Sequence, residues 1–365
     1  MKRLIALSTT ALLVATIHAE TVTLLHPDAA IPPGKTAVWS PLFQATWNAI
    51  NVEAGGQPVR IDPPNDLMTQ LDTSELDVKA VMPDGSWKVW AGPATKVFLD
   101  RVNREAREIT KEATGPFHLE GGPPGEGDHH GSLAAFGLLD REIEFQRPLY
   151  RSEKKPLDFI TPDGPSASQF FGVAGSLSSQ FGGSIRVLAY EPTTKSHAVE
   201  LMSGTGKESV IFYRPPTSGN FKSACASIRT LRSCFKEKPE AFGAINDPRF
   251  HAQDVLKVPY ISLDVRESFP QLTTSTRYHG KGEKPWRIAW AEQLTRFDLH
   301  EKGARVRVET SMGADPFGEP PPPPPMVPRF FIYDRPFFVF LWRDQAEWPY
   351  FGIWIGDSSA LKSFP

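Results

Sequence analysis

The feature that most limits how this chain can fold lies near its C-terminus, where Phe330–Trp342 and Tyr350–Ile355 are almost unbroken apolar and aromatic runs. Runs of this kind, without period-two alternation, are expected as paired strands buried on both faces. With 40% hydrophobic, 22% charged and 11% aromatic residues, the 365-residue chain has the material for a globular core, and its length permits one large domain. Its 35 prolines are roughly twice the usual share of about 5%, which predicts modest helix content and many loops. Forty basic residues against 42 acidic ones leave no charge excess to recruit a polyanion, so nucleic acid is not an expected partner. Two cysteines exclude a disulfide framework, an iron–sulfur cluster and a Cys-rich zinc site.

Lys2 and Arg3 precede an apolar stretch, Leu4 to Ile17, too short to span a bilayer but of signal-peptide length. Cleavage after Ala19 would remove residues 1–19 and leave 20–365 as a single domain. No later segment is long and apolar enough to cross a membrane. The expectation is therefore a soluble protein exported to an extracellular or periplasmic space.

Ser40-Pro41 followed by Leu42, Ala45, Ala49 and Ile50 predicts a helix start. Phe98 to Ala113 reads as a second, heavily charged helix, and Lys222 to Phe235 as a third. The stretch from Gly55 to Met82 reads as irregular. Leu133–Phe145, Ser184–Tyr190, His197–Met202, Ser209–Tyr213 and Val258–Val265 are strand-like, with Ser203-Gly204-Thr205-Gly206 as a hairpin connection.

Motifs for chemistry are weak. Asp128-His129-His130 lies in the Gly121–Gly131 loop without further ligands at metal spacing, and Gly204-Thr205-Gly206-Lys207 fails the phosphate-loop pattern. No Gly-x-Ser-x-Gly elbow occurs. Cys225 and Cys234 stand nine apart in a predicted helix, about 13 Å along its axis, too far for a bridge, and read as small core residues. No metal, no cofactor and no enzymatic activity are predicted. Pro320–Pro325 could form a polyproline II ligand.

The segment Phe330-Phe331-Ile332-Tyr333-Asp334-Arg335-Pro336-Phe337-Phe338-Val339-Phe340-Leu341, followed by Tyr350-Phe351-Gly352, resembles the closing strand pair of the serpins. Glu301-Lys302-Gly303 resembles the hinge that opens the serpin reactive-centre loop, and Ala304–Pro325 stands where that loop would be. Ser40-Pro41-Leu42, Val102-Asn103 with Thr110, Phe145, and Val258-Pro259-Tyr260-Ile261 are similar to further family positions. The resemblance covers about residues 36 to 357. It implies an α+β fold of several mixed and antiparallel sheets with surrounding helices and an exposed reactive-centre-type loop.

The resemblance also implies a function: monomeric inhibition of a serine-type protease by loop cleavage, strand insertion and trapping of the acyl-enzyme. Insertion needs a strand with period-two alternation. After Gly303, residues Ala304, Val306, Val308 and Thr310 would face inward, and Arg305, Arg307 and Glu309 outward. Burying Val306 and Val308 would contribute roughly 1.5–3 kcal/mol each. Counting from Gly303 as the family does makes Phe317–Gly318 the candidate scissile bond, suited to a chymotrypsin-like protease, with Met312 or a bond nearer the proline run as other options. Phe43, Arg141-Glu142 and Gln293-Leu294-Thr295 replace family residues that control sheet opening. Those departures favour an alternative, a non-inhibitory binding or scaffold protein whose loop is only a substrate.

Overall fold

The computed structural model describes residues 21–365 except 56–59, 64, 112, 118–131, 238–246, 270–271, 273–276, 280–286 and 307–326. The two C-terminal runs do form a buried antiparallel pair, but only in part. Phe337–Arg343 pairs with Phe351–Ile355 inside a seven-stranded sheet, while Phe330–Ile332 belongs to a different sheet. The expected single strand Phe330–Trp342 is thus broken at Tyr333–Pro336, where proline cannot supply a ladder N–H.

From one edge to the other, the seven-stranded sheet runs Val22–Leu24, Ala37–Trp39, Phe351–Ile355, Phe337–Arg343, Glu208–Arg214, Ser196–Met202 and Ile185–Glu191. One face carries Val210, Phe212, Val339, Leu341 and Ile353 into the main core; the other carries Ile211, Phe338, Phe340 and Trp342 onto the helix Phe221–Glu237. A layer on each face explains why the central strands need no polar side. The predicted hairpin at Ser203–Gly206 joins two of these strands. Cys225 sits in the core under the helix, but Cys234, expected there too, is exposed further along, where the helix faces solvent.

Opposite lies a second layer built on two parallel rails. One rail is Ser132–Leu139 continued by Arg141–Glu144; it is interrupted at Asp140, whose N–H donates to the Ser86 carbonyl (2.7 Å) instead of a strand partner. The other is Arg287–Trp290 continued by Glu292–His300. Trp87–Pro93 flanks the first rail and Ile261–Ser268 the second. The predicted strand Val258–Val265 is two strands that turn a corner at Tyr260. Val255–Pro259 joins a four-stranded sheet with Phe330–Ile332, Phe170–Val173 and Tyr150–Arg151.

Helix Lys96–Thr110, capped by the Thr95 hydroxyl accepting from the Phe98 N–H, crosses the outer face of the first rail. Its Phe98, Val102 and Ala106 pack with Ala134 and Phe136. Asn103 ties the chain beyond the helix back to it, donating to and accepting from the backbone of Phe117. Helix Leu42–Glu53 starts after Ser40-Pro41 as predicted and lies under the rails; Val38, just before it, is in a strand. The stretch from Gly55 to Met82, expected to be irregular, contains the short helices Asp66–Asp72 and Val78–Val81, both capped by side chains, of Asn65 and Asp77.

Gly137 lets the first rail approach helix Leu42–Glu53. A Cβ there would lie 2.5 Å from Thr46 Oγ1 and 3.0 Å from Leu42 Cγ. Gly137→Ala is expected to cost about 1–3 kcal/mol by overpacking, and Thr46→Ala in the same chain to recover part of it. Urea unfolding of the two single variants and the double variant measures the coupling.

Candidate functional site

The rails bond to each other only at one end. Arg287, Ile288 and Trp290 pair with Ser132, Leu133 and Ala134. At the other end the short strand Gly303–Val306 lies between them, antiparallel to both: Gly303 to Val306 oppose Glu144 to Arg141, and Gly303 to Arg305 oppose His300 to Asp298. Between these two zones, residues 135–140 and 291–297 face each other with no strand pairing across the gap among the described residues. The gap is a slot closed at its base and stoppered at its mouth.

Leu139, Gln293, Thr295 and Phe351 line the slot floor, with a cavity of about 50 Å³ that also reaches Ser40 and Phe117. The Gln293 side-chain amide donates to Thr295 Oγ1 (3.1 Å) two residues along the same strand. This bond runs along one rail and does not bridge to the other. Arg141 is turned inward to the buried Glu208 carboxylate, which also accepts from the Tyr350 hydroxyl (2.7 Å). Burial and the loss of water push the Tyr350 hydroxyl above its ordinary range. Of the substituted opening positions, Gln293 and Thr295 thus bond within their own strand and Arg141 bonds downward into the core.

The mouth is built from the residues singled out in the sequence. Gly303 is held so close to the first rail that a Cβ would lie 2.0 Å from the Ile143 carbonyl oxygen, which only glycine permits. Ala304 is buried, as its inward position requires, and Val306 ends the strand. Leu149 N–H donates to the Glu301 carbonyl and Phe145 N–H to that of Lys302 (2.7 and 2.8 Å). The Glu301 carboxylate accepts from the Tyr260 hydroxyl at 2.6 Å. Burial alone would raise the Glu301 pKa; the Tyr260 bond and its own backbone N–H outweigh it and hold the pKa below the ordinary value. Val308, Thr310, Met312, Phe317, Gly318 and Pro320–Pro325 lie outside the described residues, as do residues 1–19 and Gly121–Gly131 with Asp128-His129-His130.

Where the chain returns to the described fold, it is pinned by a pair that the sequence reading missed. Arg329 and Asp254 are both buried, and the Arg329 guanidinium donates to both Asp254 carboxylate oxygens (2.6 and 3.2 Å). The Arg329 backbone N–H donates to Asp254 as well (3.1 Å), and Nη1 to the Asp247 carbonyl (2.6 Å). A charged residue between Pro328 and a buried apolar run was the available signal, because arginine in such a place needs a fixed partner.

No family model matches the chain, and no curated protein matches it. Solved structures do. Native protease nexin-1 with heparin superposes with a TM-score of 0.53 at 12% identity, over 88% of this chain and 92% of that one. A Manduca sexta serine protease inhibitor, serpin-12, gives 0.52 at 10% identity, over 90% and 94%. Tengpin, a thermophilic serpin in the native state, gives 0.52 at 10% identity, over 89% of each. The fold is that of the serpins, an α+β architecture, as the sequence resemblance implied. Among the described residues no helix is long and apolar enough to cross a membrane, and no group of three or more metal-ligating side chains occurs.

Removing one member of a buried ion pair leaves the other uncompensated. Arg329→Met and Asp254→Leu are each expected to destabilise the fold by about 3–5 kcal/mol, and the double variant by less than either. Denaturant midpoints of the three variants test this; additive losses would mean that the groups do not act as a pair.

Proposed function

We propose that the chain inhibits serine-type endopeptidases, presenting residues 304–325 as bait and trapping the acyl-enzyme when the cleaved loop fills the slot. The observation that carries this reading is a slot that no strand among the described residues fills, with Gly303–Val306 already paired at its mouth. Continued in the same register, residues 307–312 would oppose 140–135 and meet no strand of the described residues in their way. Residues 313–315 would then have to displace the pairing at Ala134, Leu133 and Ser132, where both rails end. A strand from Gly303 to Asp315 would thus use the full sheet and leave Pro316-Phe317 just beyond it. That length favours Phe317–Gly318 over Met312 as the scissile bond, since an acyl group on Met312 would lie inside the sheet.

The inward positions of that strand are Ala304, Val306, Val308, Thr310 and Met312, none charged. An aromatic residue before the bond suits a chymotrypsin-like protease. The protein would act as a monomer, after export and loss of residues 1–19, and would perform no chemistry of its own. A second reading is a serpin-fold binding protein whose loop is merely cut. The Gln293–Thr295 pair along one rail and the Arg141–Glu208 pair favour it, because neither resembles the polar set that governs sheet opening in inhibitors.

The test mixes residues 20–365 with chymotrypsin-, elastase-, trypsin- and subtilisin-type proteases and reads denaturing gels by mass spectrometry. Inhibition predicts a band of summed mass, with the protease joined to Phe317. Val308→Asp would put an unpaired carboxylate on the inward face, costing several kcal/mol; adduct should fall at least about tenfold while loop cleavage continues. Cleavage by every protease without any adduct, and without a rise in thermal stability, would establish the second reading.

A further inference from the structure

We propose that a transverse row of the seven-stranded sheet, Tyr190, His197 and Arg214, is an acid-operated release for the strand Phe330–Ile332, which protonation of His197 frees from the face of that sheet and so from its ladder with Val255–Lys257 in the neighbouring sheet. The three residues are direct cross-strand neighbours, Tyr190 opposite His197 and His197 opposite Arg214. Each holds the returning strand in a different way. The Tyr190 hydroxyl accepts from the Phe330 N–H (3.2 Å), and its ring meets Phe331 at 5.1 Å. Arg214 donates to the Ile332 carbonyl (3.3 Å) and to the Asp334 carboxylate (2.9 Å). His197, between them, holds it only by contact: its ring lies edge-on to Phe331 and Tyr333, with centroids 5.8 and 4.7 Å away.

That middle position is poor for a cation. His197 is 2% exposed. The backbone of Lys195 favours its charged form slightly, but Nε2 has no partner among the described residues. The groups facing it leave little to receive a charge. Arg214 on the next strand is already positive, Tyr190 and Tyr333 are neutral, and Tyr333 gives its hydroxyl to the Phe212 carbonyl (2.9 Å). Asp334 is taken by Arg214, and Arg335 adds a further positive charge nearby. Desolvation first, and then the Arg214 charge, hold the His197 pKa down at about 3.

A group whose pKa is depressed in one state favours the other as the pH falls. Here the attached strand is the depressed state, so attachment is complete above the ordinary histidine pKa of 6.5 and weakens from there toward about 3. Between pH 7.5 and 5 the release equilibrium should rise about 30-fold. Either escape of Phe331 and Tyr333 or entry of water behind them would hydrate the imidazolium. This inference concerns the attachment of the strand and does not rest on the protease reading.

Hydrogen exchange read by mass spectrometry tests it on residues 20–365 at pH 7.5 and 5, with rates corrected for intrinsic exchange. The peptide covering 329–334 should lose about 30-fold in protection, while 208–214 and 337–343 keep theirs. His197→Gln, which cannot titrate, should abolish the difference. A pH-independent 329–334, the same loss in His197→Gln, or simultaneous loss in all three peptides would overturn the proposal. Should His197→Gln not fold, an NMR titration of the His197 imidazole in the unaltered chain decides together with the exchange data: a midpoint well below the ordinary value along with loss of protection in 329–334 supports the release, and a midpoint near the ordinary value refutes it.

Discussion

Main-chain N–H and C=O groups removed from bulk water need partners. Along the two rails that need is met at the base by the rails themselves and at the mouth by Gly303–Val306, and over the intervening residues the facing edges stand apart. The rest of the molecule is arranged around keeping this gap. Helix Leu42–Glu53 supports it from below, helix Lys96–Thr110 covers the lower part of the outer face, and the seven-stranded sheet backs both with a continuous apolar core. A sheet able to close the gap by itself would gain hydrogen bonds and, on the proposed reading, lose the place for another strand. The rails are instead parallel and bond only at one end, so a strand entering from the mouth must be antiparallel to each.

The two ends of the loop are secured by different physics. At the entry the constraint is steric: Gly303 meets the Ile143 carbonyl at a distance no other residue tolerates, and backbone hydrogen bonds from Phe145 and Leu149 fix Lys302 and Glu301. At the exit the constraint is electrostatic, an arginine and an aspartate that are both buried and have each other and nearby carbonyls as partners. Steric fixing is insensitive to salt and pH. A buried ion pair resists salt too, but it depends on both groups staying charged.

Local signals made part of this fold legible in the sequence. The helix starting at Leu42 was readable because proline sits where helix geometry wants it, while Lys96–Thr110 was read from its periodicity as Phe98 to Ala113, shifted toward the C-terminus because the Thr95 cap went unread. The buried strand pair was readable from its unrelieved apolar character, and the hinge from a short local motif. Sequence periodicity reports which face of a strand is buried but not which sheet it joins, so the breaks at Asp140, Tyr260 and Tyr333–Pro336 were missed and three pairs of strands were each read as one. The Asp254–Arg329 and Arg141–Glu208 pairs were illegible for another reason. Their members are 75 and 67 residues apart, and no local pattern announces a partner at that range. Cys234 was misread because helical spacing alone did not show that its end of the helix outruns the sheet it covers.

The separate fixing of entry and exit has a consequence for how such a chain can diversify. The contacts described for Gly303 and Arg329 are made with Ile143 on one side and with Asp254 and the Asp247 carbonyl on the other, all of them in the scaffold, as binding loops are held on the rigid framework of an antibody. On the proposed reading the stretch between these sockets is a replaceable cassette. Changes in its length or composition are then expected to leave both sockets intact, so what is offered to a protease can be rewritten while the scaffold stays as it is.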